Sequence, residues 1–497
     1  MSSCQEAPAL YRCEDCFGPS LWCQSCVVSN HARNPLHRIK EWNGKFFDRI
    51  TLKGLGLHVQ LGHEVSDRCI RPELSSNDNF VIVDCHGIHE VALNYCACET
   101  GETKTTQLLW AWWLPSTVSD PQSAATFAVL EQYHLLSFES KVSAYGFYHS
   151  LVRQSDNTGA TPIRDRYQAF MRMVREWQHL RMLKRAGRGH DPEGLAAMQP
   201  GQCANLPDDW DRVPAKKNDK ADPSLGRGWQ FFIEDQQFKA HLAEHVDEPQ
   251  EKSTCSSHNA VNDVDTKSAK GLSATGVGAI DCARHNMKLP NGFNMDYLVF
   301  SALKGTPLKH LFISYDIACQ WHKKLWNRMP RLAEDLHFNT TDKVIQFLVP
   351  KFHLPAHIDT CHTSFSFNFM KGVGHTNREA IERGCANINP VSSSTKAMGP
   401  GSRRDTLDDH FADWNWKKVV SLGLLLSRKM KEAVSEHKAH RVILEQLEST
   451  LATETLAVYK AEIEEWENDR NNPNPFESKV KSKLCKSPDD STADMLA

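Results

Sequence analysis

Cys13-x2-Cys16, Cys23-x2-Cys26, His31 and His37 crowd one short stretch near the start of the chain, and nothing else in the sequence restricts its fold so tightly. A Cys-x2-Cys turn aims two thiolates at one tetrahedral ion, and two such knuckles with histidines supply a complete ligand set. Six ligands exceed one site. Either one zinc takes four of them, or two zincs interleave in a cross-brace, with further ligands from His63, Cys69, Cys85, His86, His89, Cys96 and Cys98. In a small secreted chain such cysteines would pair as disulfides. Here the chain runs to 497 residues with 16 cysteines and 24 histidines. Its opening Met-Ser-Ser-Cys-Gln-Glu has neither the basic region nor the apolar core of a signal peptide, which predicts an intracellular protein whose clustered cysteines hold metal. Structural zinc contributes about 10 kcal/mol to apparent folding free energy. A segment this poor in large apolar residues is expected to need it.

The rest of the chain divides by pattern into an α+β multidomain protein. Residues 1–103 carry the Cys/His cluster and short β-like runs, Phe80–Asp84 and His89–Leu93. Residues 104–185 turn helical: Gln107–Leu114 leads into Ala124–Tyr148, and Asp165–Leu183 places Phe170, Val174 and Trp177 at helical spacing. Residues 186–228 are broken by repeated Gly and Pro and read as an irregular linker. Residues 229–420 return to α/β character, with candidate strands at Trp229–Ile233, Leu308–Tyr315 and Val344–Val349. Residues 421–497 read as amphipathic helix to about Arg470 and then a polar tail expected to be disordered. With 40% hydrophobic and 24% charged residues the chain can bury one large core and a smaller one. A net charge of −3 confines any nucleic-acid footprint to local basic runs, and no 18-residue apolar stretch predicts a membrane span.

Two further groups carry chemistry. Cys255-x2-His258 and Cys282-x2-His285 have the pair spacing of a second Cys2His2-type site, with Cys255, Cys282 and His285 as its leading ligands. Asp316 ends the apolar run Leu311–Tyr315 just before a predicted helix, where a carboxylate can reach a metal at the edge of a sheet. Glu379 and Glu382 stand about one helical turn apart. Two-metal nucleases need several such carboxylates converging on ions about 3.5–4 Å apart. Otherwise Asp316 is a helix cap and the glutamates a solvated pair.

Tyr315-Asp-Ile-Ala-Cys-Gln-Trp321, Val349-Pro-Lys-Phe-His-Leu-Pro-Ala-His357 and the long run from Glu382 through Ser392-Ser-Ser-Thr-Lys396 to Asp405-Thr-Leu-Asp-Asp-His410 resemble the Kyakuja-Dileera-Zisupton (KDZ) transposases abundant in fungi. His37–Trp42, Leu55–His63 and Gly87–Val91 likewise resemble the CxC-like cysteine cluster, second subtype, that precedes the catalytic region in that family. The resemblance implies a nuclear, transposon-encoded enzyme with a ribonuclease-H-like fold. Its Asp-Asp-Glu triad would use Mg2+ or Mn2+ to cut and rejoin DNA at transposon ends, and its cysteine cluster would hold structural Zn2+. Asp316 matches the second Asp, and Glu379, with Glu382 as its rival, the Glu. The first Asp of the family lies on an apolar strand, followed by Asn-Phe, ahead of the segment that here reads Asp222–Trp229. In that place this chain has Pro207-Asp-Asp-Trp-Asp-Arg-Val-Pro214 and then Lys-rich sequence, so the ribonuclease-H-like region is expected to be incomplete. The Asp-Gly expected before the catalytic Glu is Asn377-Arg378.

The expectation is therefore a transposase relative that is catalytically crippled. The rival class is a non-enzymatic zinc module binding DNA or protein, B-box-like proteins included. Arg175, Arg181, Lys184 and Arg185, Lys323-Lys324 and Gly399–Arg404 are the basic runs offered to DNA phosphates, and homo-oligomerisation is allowed.

Overall fold

The computed structural model describes residues 7–65, 67, 69–75, 79–99, 101–158, 163–185, 225, 241, 277–292, 295–374, 376, 380–396 and 398–477. Trp229–Ile233, Cys255, His258, Glu379, almost all of the 186–228 linker and the tail beyond Glu477 fall outside these residues. The chain divides into two compact units, one within Met1–Phe231 and Ala386–Asp413, the other within Phe232–Cys385 and Trp414–Ala497. It is mixed α/β, with a helical C-terminal part. Among the described residues no helix is long and apolar enough to cross a membrane.

The first unit opens with a small antiparallel sheet, β1 (Tyr11–Cys13), β2 (Ile39–Trp42) and β3 (Phe47–Ile50), beside the helix α1 (Gln24–Asn30). Its core holds Tyr11, Cys13, Val27, Ile39, Leu52, Leu55 and Leu57. That is little apolar volume for so much loop, the situation in which small folds commonly add covalent or metal staples.

A larger sheet follows, in the order β4 (His58–Gln60), β7 (Gly87–Cys96), β6 (Phe80–Asp84), β9 (Ser123–Thr126), β8 (Trp113–Pro115), with β5 (Pro72–Leu74) also pairing with β7. Period-2 alternation sends the residues of β6 to opposite faces: Phe80 and Ile82 join one cluster, with Leu61, Leu93, Tyr95 and Leu108, while Val83 joins the other. The second cluster is roofed by α3 (Phe127–Glu139), α4 (Ala144–Ser155) and α5 (Tyr167–Arg185) through Val129, Leu130, Phe147, Leu151, Phe170 and Met173. The sequence pattern predicts helix across Gln107–Leu114; here the helix α2 (Lys104–Trp110) stops short. Trp112 takes a left-handed backbone (φ 63°) and reverses the chain, so that Trp113 and Leu114 enter the sheet on opposite faces. Burying both residues outweighs local helix propensity.

The 386–413 segment packs within this first unit. Arg175 binds Asp405 at 2.7 Å, and Arg185 and His134 bind the two oxygens of Asp409 at 3.1 and 2.7 Å. Arg181 pairs with Glu131. Three of the four basic residues of α5 offered to phosphates are thus committed to carboxylates, and Lys184 alone of the four is exposed.

In the second unit, β10 (Gly278–Asp281) and β11 (Lys288–Gly292) form a hairpin, and β12 (His310–Ser314) lies parallel to β13 (Val344–Leu348). The helix Met295–Leu303 packs Tyr297 and Phe300 with Leu325, Leu332 and Leu336. The hairpin is tied to the helix Pro400–Ser449 by Asn415, which exchanges two hydrogen bonds with the Lys288 main chain. The helix Thr453–Asn468 completes the described C-terminal part.

Candidate metal centres and carboxylate cluster

Cys13, Cys16, His31 and His37 converge with their ligand atoms all within 4.8 Å of one another. Cys16 Sγ lies 3.4 Å from His31 Nε2 and 3.4 Å from His37 Nδ1, and Cys13 Sγ lies 3.5 Å from His37 Nδ1. Zinc–sulfur bonds near 2.3 Å and zinc–nitrogen bonds near 2.0 Å imply tetrahedral edges of about 3.5 Å between sulfur and nitrogen. The donor set therefore fits structural zinc in both chemistry and spacing.

Local sequence explains the arrangement. Cys13 ends β1 and Cys16 follows in the turn, where the Asp15 and Cys16 N–H groups donate to Cys13 Sγ. His31 ends α1, and its Nδ1 sits 2.7 Å from the Val27 carbonyl, which makes Nδ1 the proton-bearing nitrogen and leaves the Nε2 lone pair facing the thiols. His37 is brought in by Asp15, whose carboxylate accepts from the Arg38 main chain at 2.7 Å and from its guanidinium at 2.6 Å. Burial pushes the Cys13 thiol up, but hydrogen bonds with the His31 ring and with the Asp15 and Cys16 N–H groups outweigh it and hold Cys13 below its ordinary value. Burial and the neighbouring Cys13 push Cys16 up to about 11, and a bound cation would displace its proton.

His63, Cys69, Cys96 and Cys98 form a second group, again within 4.8 Å. Cys69 and Cys98 sulfurs are 3.8 Å apart and His63 Nε2 is 3.1 Å from Cys96 Sγ. Cys98 is drawn down to about 7, first by its hydrogen bond with Cys96 and then by the Arg71 main chain, so a thiolate is available near neutrality. The β5–β7 pairing sets Pro72 opposite Cys96 and carries Cys69 to the strand end. Buried Gln107 clamps Cys96, accepting from its N–H at 2.8 Å and donating to its carbonyl at 2.9 Å. Gly62, at φ +77°, precedes His63, and a Cβ there would stand 2.6 Å from the Cys96 Cβ and 2.9 Å from Gln107 Oε1. Gly62→Ala is expected to cost roughly 1–3 kcal/mol for the left-handed backbone alone. Overpacking against a ligand residue adds to that cost. Zinc content falling by about one equivalent with a lowered melting temperature would show it; unchanged values would reject this role for Gly62.

Other candidates do not gather in these groups. Cys23 and Cys26 flank the start of α1, where Cys23 Sγ lies 3.2 Å from Ser25 Oγ; among the described residues neither joins a three-ligand group. His86 pairs with Asp84, burial pushes Cys85 up to about 11, and burial draws His89 down to about 4. Cys282 Sγ and His285 Nδ1 are 3.5 Å apart at the β10–β11 turn, but Cys255 lies outside the described residues.

The carboxylates meet in the second unit. Parallel β12 and β13 end together, Ser314 opposite Leu348, so Asp316 and the Lys351–His357 loop emerge at the same edge. His353 Nε2 stands 3.5 Å from Asp316 Oδ1 and 3.1 Å from Glu382 Oε1 on the helix Ala380–Ile388. Both carboxylates are about half exposed, whereas His353 is largely covered (51%, 53% and 17%). His353 carries no sequence signal beyond its place in the Val349–His357 run. Nearby Asp281 is buried and bound to Lys288 at 2.8 Å. Burial, partly offset by Lys288, raises the Asp281 pKa.

Residues 208–415 match the Kyakuja-Dileera-Zisupton (KDZ) transposase family, and residues 52–159 match the CxC2-like cysteine cluster associated with KDZ transposases. The chain thus carries a KDZ transposase region and the cysteine-cluster region associated with it. The KDZ match spans the strands that deliver Asp316 and His353 and the helix that carries Glu382, and the cluster match contains the whole second Cys/His group, whereas Cys13–His37 lies ahead of it. Searches of curated proteins and of solved structures returned no match. A KDZ transposase implies DNA as the partner.

Proposed function

We propose that this KDZ chain is a transposon-encoded, nuclear DNA-binding protein of fungal type with a ribonuclease-H-like body, zinc-stapled at its head, that no longer cleaves DNA. The observation carrying this reading is the meeting of Asp316 and Glu382 at His353, beyond the carboxyl ends of two parallel strands. That is where open α/β sheets place their ligands. Mg2+ or Mn2+ held between Asp316 and Glu382, with Glu379 beside it in sequence, would supply the Lewis acid for phosphoryl transfer. His353 already occupies the space between the two carboxylates. The sequence ahead of Asp222 offers no apolar strand carrying a first Asp, and a two-metal centre lacking one bridging carboxylate holds its ions poorly.

Incubation of the full chain with Mg2+ or Mn2+ and labelled transposon-end DNA is expected to give retarded complexes but no strand nicking above the Asp316→Ala background. Nicking that disappears in Asp316→Ala would overturn the loss of cleavage. The alternative, a non-enzymatic zinc module binding protein, is favoured by the commitment of Arg175, Arg181 and Arg185 to carboxylates; it predicts no DNA retardation. Homo-oligomerisation through transposon-end pairing is part of the proposal.

A further inference from the structure

Cys319, His357 and Cys361 form a third group in the second unit, all three buried and with ligand atoms within 4.8 Å of one another. Cys319 Sγ is 3.4 Å from His357 Nδ1, close to the sulfur–nitrogen edge of about 3.5 Å expected around tetrahedral zinc. We propose that Cys319, His357 and Cys361 bind a zinc ion that fixes the loops carrying Asp316 and His353.

The placement follows from the parallel strands. Beyond β12 the chain passes Asp316 and turns into the short helix Ala318–Trp321, which carries Cys319. Beyond β13 it passes His353 and reaches His357 and then Cys361 on the helix Asp359–Ser364. Because Ser314 and Leu348 are in register, both ligand-bearing segments leave the sheet at one edge. The Tyr315 N–H donates to the Leu348 carbonyl and the Val349 N–H to the Phe365 carbonyl, so the surrounding backbone is already held. Two thiols and an imidazole are soft and borderline donors, a set suited to zinc and not to Mg2+. They fill three corners of a tetrahedron, and a water takes the fourth, as at open zinc sites.

The functional consequence is positional. Cys319 lies three residues after Asp316 and His357 four after His353, and the His357 ring is hydrogen-bonded to the Asp316 main chain. An ion here would lock the Asp316 turn against the His353 loop. The proposal goes beyond the loss of cleavage and does not depend on it, because its test reads metal and not DNA.

Full-length protein expressed with zinc would be assayed by elemental analysis and, after exchange into Co2+, by thiolate-to-cobalt charge-transfer absorption. Cys319→Ser/Cys361→Ser is expected to lose about one metal equivalent per chain, additively with a separate loss in Cys13→Ser/Cys16→Ser. His357→Cys guards against simple misfolding: it should keep the metal count and strengthen the cobalt–thiolate band, whereas His357→Ala should lower the count. An unchanged count and spectrum in the Cys319/Cys361 double variant would refute the site. So would a His357→Cys protein that keeps its metal without any gain in the band.

Discussion

Treatment of the purified chain with a strong zinc chelator is expected to unfold the segment from Tyr11 to Leu57, seen as a loss of protection from proteolysis there and a fall in ellipticity. The β1–β2–β3 sheet encloses a core of a few side chains, one of which, Cys13, is itself a candidate metal ligand. Metal binding on the order of 10 kcal/mol exceeds what so small a core supplies. Acid should act in the same direction, because protons compete for the thiolates and imidazoles. The Asp15–Arg38 clamp is not the weak point. Burial pushes the Asp15 carboxyl up, but Arg38 outweighs it and holds it below the ordinary aspartate value. A depressed folded value means that its contribution is complete above the unfolded pKa and is lost only as pH falls through the folded one. Metal release should therefore precede loss of the clamp as pH is lowered. An intact proteolytic pattern after complete zinc removal would show that the head folds without metal.

Asp409→Ala is expected to destabilise the first unit by about 3–5 kcal/mol, the usual cost of removing one partner from a buried charged network. Asp409 is almost fully buried and uses one oxygen for His134 on α3 and the other for Arg185 on α5. Truncation leaves an imidazole and a guanidinium facing each other without an acceptor. Asp409→Asn preserves shape and one acceptor and should cost less. Hydrogen exchange in α3 and α5 is the suitable measurement, since it reports opening of these helices separately from the second unit. Protection unchanged in Asp409→Ala would mean that the network contributes little.

This network also shows how far motif reading reaches. The run Asp405-Thr-Leu-Asp-Asp-His410 stands out in sequence as part of the family resemblance, yet its residues do structural work. Asp405 and Asp409 satisfy arginines of α5, and those arginines were the ones offered to DNA. Charge along a helix identifies a basic residue, but whether it faces solvent or a carboxylate more than two hundred residues away is decided by packing. The Gln107–Leu114 run is a similar case. Its helical spacing is real, but Trp113 and Leu114 gain more by entering a sheet with both faces covered.

The sequence by itself determined the ligand types, the two Cys-x2-Cys knuckles and the apolar runs that became β6, β12 and β13, because these depend on residue identity and short-range periodicity. Only the tertiary structure decided which candidate ligands come together. Cys13 and Cys16 pair with His31 and His37 past the intervening Cys23 and Cys26, as α1 turns His31 back toward the β1 knuckle. His63 and Cys69 reach Cys96 and Cys98 because β4 and β5 flank the end of β7. Cys319 joins His357 and Cys361 through a parallel strand pair, with nothing in their linear spacing beyond the four-residue step from His357 to Cys361 to announce it. Metal coordination is a condition on points in space. Sequence spacing fixes those points within one turn or one helix, and sheet register fixes the rest.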